Sequence, residues 1–180
     1  MNAPTNPKEL ELQTVEFKLD GKTIVSYEGE TILKAAKRHG IDIPHLCFKD
    51  GYRPDGNCRA CVVEINGERT LAPSCCRSAT PGMEVKANSE RALKSQKLVL
   101  EMLLSDMPDE GFKWVGDSKE EEQKHQHGEL STWAARMDVT VRPELKALRR
   151  EKVASDVSHP AMAVNLDACI QCNRCVRACR

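Results

Sequence analysis

Aromatic side chains are scarce in this chain, with two Trp, two Tyr and three Phe among 180 residues. That scarcity argues against the stacking platforms on which single-stranded nucleic acids are bound. Charge of one sign is also missing. Lys and Arg number 27, as do Asp and Glu, so no bulk field draws nucleic acid or an anionic membrane surface. No stretch approaches the run of about 18 apolar residues that spans a bilayer. The opening MNAPTNPKELELQ has no apolar region of the kind a secretory signal needs, so the expected compartment is the cytoplasm. The sequence also offers no phosphate-cradling glycine loop, no nucleophile paired with a base and no internal repeat. No catalytic residue is expected within it.

Cysteine is plentiful. There are nine, and eight of them fall into two groups. Cys47, Cys58, Cys61 and Cys75 read C-x10-C-x2-C-x13-C. Cys169, Cys172, Cys175 and Cys179 read C-x2-C-x2-C-x3-C. A disulfide framework fits poorly, because close C-x2-C repeats in an unsecreted chain favour metal binding. Zinc commonly pairs two C-x2-C knuckles, and the first group has only one. Four soft thiolates, two per iron, are what a 2Fe–2S rhomb takes, in an order here that differs from plant-type ferredoxins. The ninth cysteine, Cys76, is expected to be a buried small hydrophobe rather than a ligand. His45, two residues before Cys47, is expected to serve packing or the surface.

The second group is the bacterial ferredoxin run of thiolates. Cys169, Cys172 and Cys175 can take three corners of one 4Fe–4S cubane. In two-cluster domains the fourth cysteine of the run, here Cys179, ligates the other cubane. The alternative is a single cubane closed by Cys179. The expectation is that residues 1–180 are an amino-terminal piece of a longer subunit.

Local patterns place these groups. Val15, Phe17 and Leu19 alternate with polar residues, as in a half-buried strand. Asp20-Gly21 predicts a tight hairpin, and 22–27 the return strand. A helix is expected from about Thr31, with Gly40 closing it in a left-handed conformation. Val62, Val63 and Ile65 predict a strand, Asn66-Gly67 a second hairpin turn, Arg69–Ala72 its return, and Met83–Val85 a short strand. A helix over Ser89–Ser105 should bury Leu93, Leu100, Leu103 and Leu104. The polar leader 1–11 precedes all this. Within 106–158, the run DSKEEEQKHQH at 117–127 reads as a solvated face that takes in His125 and His127. Trp114, Trp133 and Met137 are expected to anchor the segment, and Pro143–Val153 to form a short basic helix. The fold expected is α+β. It comprises a β-grasp 2Fe–2S ferredoxin domain with its following helix over 12–105, a charged helical linker over 106–158, and the first half of a bacterial-type two-cluster 4Fe–4S ferredoxin domain over 159–180.

The stretch IPHLCFKDGYRPDGNCRACVVEINGERTLAPSCCRSATPGMEV resembles a known group of amino-terminal 2Fe–2S domains. That group includes the large iron–sulfur subunit of NADH–quinone oxidoreductase, the diaphorase iron–sulfur subunit of soluble hydrogenases, iron-only hydrogenases and NAD-linked formate dehydrogenases. Members often carry a further His/Cys-ligated 4Fe–4S cluster between the two motifs. No cysteine stands between Cys76 and Cys169 here, so that cluster is not expected. The wording SHPAMAVNLDACIQCNRCVRACR most resembles the catalytic subunit of soluble NAD-linked formate dehydrogenases. The resemblance implies a molybdenum or tungsten pterin centre in a carboxy-terminal part, a further iron–sulfur subunit, and flavin/NAD-binding diaphorase subunits as partners.

Overall fold

The computed structural model describes residues 13–107 and 128–179. The expectations for the leader 1–11, for Trp114 and for the run 117–127 with His125 and His127 lie outside the described residues.

The chain opens with strands β1 (Thr14–Leu19) and β2 (Lys22–Tyr27), paired antiparallel from Thr14↔Tyr27 to Leu19↔Lys22. Their turn is the one expected. Asp20 and Gly21 both have positive φ, 49° and 81°, which matches the right-handed twist of the flanking strands. The Asp20 carboxylate then accepts the N–H groups of Ala87 and Asn88, tying the turn to a distant segment. Helix α1 (Ile32–Arg38) begins at Thr31, whose hydroxyl accepts the Lys34 N–H, and Gly40 follows it at φ 72°.

After a long loop come β3 (Val62–Ile65), β4 (Ala72–Pro73) and β5 (Glu84–Lys86). The sheet order is β2-β1-β5-β3-β4, with β5 parallel to β1 and every other pair antiparallel. The central parallel pair with α1 packed beside it is the β-grasp arrangement, so the expected α+β class holds for this part of the chain. Phe17, Leu19, Ile24, Leu33, Val63 and Val85 are buried together between sheet and helix.

Three local expectations need correction. The turn at Asn66-Gly67 forms, with Glu68 N–H bonded to Ile65 O, but it closes no tight hairpin. β3 meets β4 only at Val62↔Pro73 and Val63↔Ala72, so Arg69–Leu71 loops out and the far end of β3 pairs with β5 instead. The short strand lies one residue later than expected, at Glu84–Lys86.

The third correction concerns α2 (Glu90–Ser105), capped by the Ser89 hydroxyl on Ala92 N–H. Its buried line is Ala92, Gln96 and Leu100, whereas Leu93 is exposed. The i, i+4, i+8 row with a glutamine at its centre escaped a reading that followed leucines alone. Gln96 is 1% exposed and donates to Val62 O at 2.8 Å and Ala87 O at 3.3 Å, fastening the helix across β3 and the segment after β5.

Helix α3 (Glu129–Arg136) lies against α2, and α4 (Pro143–Lys146) is a single turn. The basic helix expected over Pro143–Val153 thus stops after Lys146. Arg142 pairs with Glu101 of α2 at 2.7 Å just before it. An unforeseen hairpin follows, β6 (Asp156–His159) with β7 (Met162–Val164). Its Val157, Met162 and Val164 are exposed, so no alternation pattern marked it. The last element is α5 (Arg174–Ala178). Among the described residues no helix is long and apolar enough to cross a membrane.

Candidate metal centre

The loop between α1 and β3 carries Cys47, Cys58 and Cys61, and the turn after β4 carries Cys75. Cys47, Cys61 and Cys75 are buried and Cys58 is half-buried. Sheet pairing explains how residues so far apart in sequence meet. β4 lies beside β3, and Ser74 binds Cys61 O through both its N–H (3.0 Å) and its hydroxyl (2.7 Å). Cys75 is thereby set beside Cys61. The other two thiols are cross-linked through the backbone, with Cys47 N–H donating to Cys58 Sγ at 3.4 Å and Cys58 N–H to Cys47 Sγ at 3.5 Å.

The four sulfurs share protons. Hydrogen bonds from Cys58 and Cys75 hold the Cys47 thiol down, to about 2. A hydrogen bond from Cys75 lowers Cys61 to about 7. Bonding to Cys47 and burial push Cys58 up, and bonding to Cys47 and Cys61, with burial, pushes Cys75 up. The hydrogen bonds thus favour the ionised form at Cys47 and Cys61 and the protonated form at Cys58 and Cys75. Metal binding displaces such protons, since the thiolate is the ligand form. Backbone N–H groups aimed at ligand sulfurs would also tune the potential of a bound cluster.

The donor set fits a 2Fe–2S rhomb. It offers four soft sulfurs linked in the order Cys58, Cys47, Cys75, Cys61, with main-chain donors on Cys47 and Cys58 and three of the four thiols buried. Among the described residues no set of three or more His, Cys, Asp and Glu side chains is arranged around a single ion.

The loop needs unusual backbone to reach this state. Arg59, between Cys58 and Cys61, sits at φ 59°, left-handed for a residue with a Cβ. Gly56, at φ 63°, passes so close to Cys76 that an added Cβ would lie 3.0 Å from its Sγ. Gly51 has φ 88° but nothing within 4 Å of an added Cβ, so it serves the turn alone. Cys76 itself is exposed, contrary to expectation. In the turn after β4 Ser74 and Cys75 are both buried, and Cys76 is the residue left at the surface. The two sulfurs stay 3.6 Å apart. His45 is a packing residue, as expected. It bonds Ile43 O at 2.8 Å and its ring lies 6.0 Å from Phe48 and 5.9 Å from Trp133.

The second group occupies the turn before α5 and α5 itself. Cys169 and Cys172 are half-buried, and Cys175 and Cys179 are exposed. Gln171 and Asn173, at φ 54° and 58°, fold the chain left-handed on either side of Cys172. Cys175 opens into a cleft of about 240 Å³ lined also by Lys49, Tyr52, Glu129, Arg174 and Ala178.

Sequence reasoning gave no sign that the two groups adjoin, yet they do. A second small core of Leu46, Ala60, Leu100, Met107 and Leu130 lies beneath both, with Cys58 on one flank and Ile170 on another. Trp133 and Met137 pack against this core, so they do anchor the segment. Asn57 Nδ2 donates to Gln171 O at 2.8 Å. Glu129 pairs with Arg174 at 2.5 Å and stands 3.9 Å from Lys49.

Ahead of Cys169, Asp167 is a second anchor that no motif announced. It is 4% exposed, pairs with Arg149 at 3.0 Å and accepts Val153 N–H at 3.3 Å. Asp167→Ala would strand the Arg149 charge and the Val153 donor. The expected cost is about 2 kcal/mol, read as roughly 30-fold faster amide exchange around Val153. Exchange there unchanged from wild type would show that Asp167 anchors nothing.

With this geometry in view, the relatives agree. Residues 13–90 match the family model described as a 2Fe-2S iron-sulfur cluster binding domain. The chain is 39% identical over 170 residues to the NADP-reducing hydrogenase subunit HndD of Solidesulfovibrio fructosivorans, covering 89% of this chain and 27% of that protein. It is 31% identical over 172 residues to the mitochondrial NADH-ubiquinone oxidoreductase 78 kDa subunit of Candida albicans, covering 92% of this chain and 22% of that protein. A crystal structure of an NAD+-reducing NiFe hydrogenase in the H2-reduced state superposes with TM-score 0.72 at 32% identity, over 91% of this chain and 65% of that one. The chain spans about a quarter of the length of these two curated relatives. Over most of its length the chain is similar to these hydrogenase and NADH-ubiquinone oxidoreductase subunits, and its residues 13–90 match a 2Fe-2S iron-sulfur cluster binding domain.

Proposed function

We propose that this chain is an iron–sulfur electron-relay segment of a multi-subunit, NAD(P)-linked oxidoreductase in the cytoplasm. The observation that carries the reading is the convergence of Cys47, Cys58, Cys61 and Cys75 into one hydrogen-bonded group of sulfurs. These four hold a 2Fe–2S cluster. Cys169, Cys172 and Cys175 hold a 4Fe–4S cluster, and Cys179 serves either as its fourth ligand or as a ligand to a second 4Fe–4S cluster. When bound, the clusters supply one-electron redox chemistry, at roughly −400 mV for plant-type 2Fe–2S sites, a range suited to exchange with a flavin. The protein's own contribution is to exclude water, hold the sulfurs rigidly and direct N–H groups at them.

The finer assignment is to formate oxidation at a molybdenum or tungsten pterin centre outside residues 1–180. Its support is the resemblance of SHPAMAVNLDACIQCNRCVRACR to formate dehydrogenase subunits. The partners are then flavin/NAD-binding diaphorase subunits and a further iron–sulfur subunit. A hydrogenase reading is favoured by the 39% identity to a hydrogenase subunit. The respiratory reading is weaker, because the missing cysteines remove a cluster such subunits normally carry.

Anaerobically purified protein should be brown and contain iron and acid-labile sulfide. Dithionite should then develop a 2Fe–2S electron paramagnetic resonance signal. Colourless protein with stoichiometric zinc would instead make it a zinc-stabilised interaction module. Within the assembled complex, cluster reduction by formate but not by hydrogen selects the formate assignment, and the converse selects hydrogenase.

A further inference from the structure

Besides Asn57, a second side chain joins the two cysteine groups, and no motif accounts for it. Arg177 lies in α5, between Cys175 and Cys179, and is half-buried. Its guanidinium donates to Cys47 O and, at 2.6 Å, to Arg53 O, both in the loop of the first group. It also donates to Cys172 O at 3.3 Å and, through Nε, to Asn173 O at 3.3 Å, both in the second group. The planar fork with five N–H donors makes this division possible, and a lysine ammonium lacks that reach.

Charge adds to the geometry. Every bond described for Arg177 ends on a neutral backbone carbonyl. Its neighbour Arg174, by contrast, is matched by the Glu129 carboxylate at 2.5 Å. Arg177 therefore brings a positive charge, with no carboxylate bonded to it among the described residues, to the seam between two sites that carry net negative charge when occupied. Reduction adds a further negative charge to a cluster, so a fixed cation nearby favours the reduced form.

We propose that Arg177 is a positioning residue that pins the loop of the first cluster to that of the second and, as their shared counter-charge, raises the reduction potential of the 2Fe–2S site. This rests on the proposed ligand role of the first four thiolates, and the test separates the two claims. The wild-type chain, Arg177→Gln and Arg177→Lys are purified anaerobically. Iron and sulfide are counted, and the 2Fe–2S resonance is titrated against potential.

Wild-type protein without a 2Fe–2S signal would sink the ligand assignment itself. With that signal present, Arg177→Gln should move the one-electron equilibrium at least about tenfold toward the oxidised form, a fall of about 59 mV. Arg177→Lys keeps the charge and loses the fork. It should shift the midpoint less than half as far, yet speed amide exchange across Gln171–Ala178 as much as Gln does. A Gln midpoint matching wild type overturns the proposal, as do equal Lys and Gln midpoint shifts. Should Gln fail to retain the cluster, Arg177→Lys decides alone. Wild-type exchange across Gln171–Ala178 in that variant overturns the pinning role, and faster exchange with a near-native midpoint supports the whole.

Discussion

Cys61→Ser is expected to reduce the 2Fe–2S signal to background while leaving any signal from the second cysteine group in place. Cys61 is 1% exposed and immediately precedes β3, where Ser74 grips its carbonyl through two bonds. The serine would therefore stay in position with no slack to move toward iron. Its oxygen is a harder donor than sulfur, and its hydroxyl does not ionise readily at neutral pH, whereas Cys61 is already lowered to about 7 by Cys75. Iron and sulfide analysis with paramagnetic resonance measures the outcome. Cys76→Ser is the matching control, since that thiol is exposed and, although 3.6 Å from Cys75 Sγ, is not one of the four proposed ligands, and it should keep the cluster. An unaltered 2Fe–2S signal in Cys61→Ser would remove this cysteine from the ligand set.

The second large effect is expected far from any sulfur. Gln96→Ala should destabilise the described fold by about 3 kcal/mol, from two orphaned carbonyls and the void left by four heavy atoms. The carbonyls are those of Val62 and Ala87, and Gln96 is almost wholly enclosed. Gln96→Leu refills most of the volume and loses only the bonds, so it should cost about 1–2 kcal/mol. Urea unfolding followed by far-ultraviolet circular dichroism should rank the midpoints wild type, Leu, Ala. Because Val62 directly follows Cys61, the Ala variant should also lose iron faster on dilution into chelator. Equal midpoints for all three proteins would show that α2 is held by its apolar residues alone.

Both effects trace to features of different legibility. The cysteine spacing was readable because thiolate chemistry restricts which residues can hold iron and sulfide. The β-hairpin was readable because Asp20-Gly21 satisfies a backbone requirement that few residue pairs meet. The helix ends at Thr31, Gly40 and Ser89 were readable for a like reason, since orphaned N–H and C=O groups demand particular caps. Gln96 was not readable. A glutamine on a helix is ordinarily a surface residue, and only the two carbonyls that happen to face it make burial tolerable. Cys76 failed for the opposite reason. Cysteine is commonly buried, but here Ser74 and Cys75 take the buried places and Cys76 is left at the surface.

The hairpin at Asp156–Val164 shows another boundary. Its outward apolar residues follow no alternation, because neither face is covered by a described element. Strand periodicity is a record of one-sided burial, and where burial is absent the record is not written.

By itself the sequence determined which thiols are available as soft donors, how they divide into two groups, and the local strands, turns and caps that a β-grasp domain needs. These depend on side-chain type and on backbone constraints a few residues long. Only the tertiary structure decided that the two groups adjoin, with Ile170 seated on the core beside Cys58 and with Asn57 and Arg177 spanning the seam. Such contacts join positions more than a hundred residues apart, and they are set by which surfaces remain to be buried once each local element has formed.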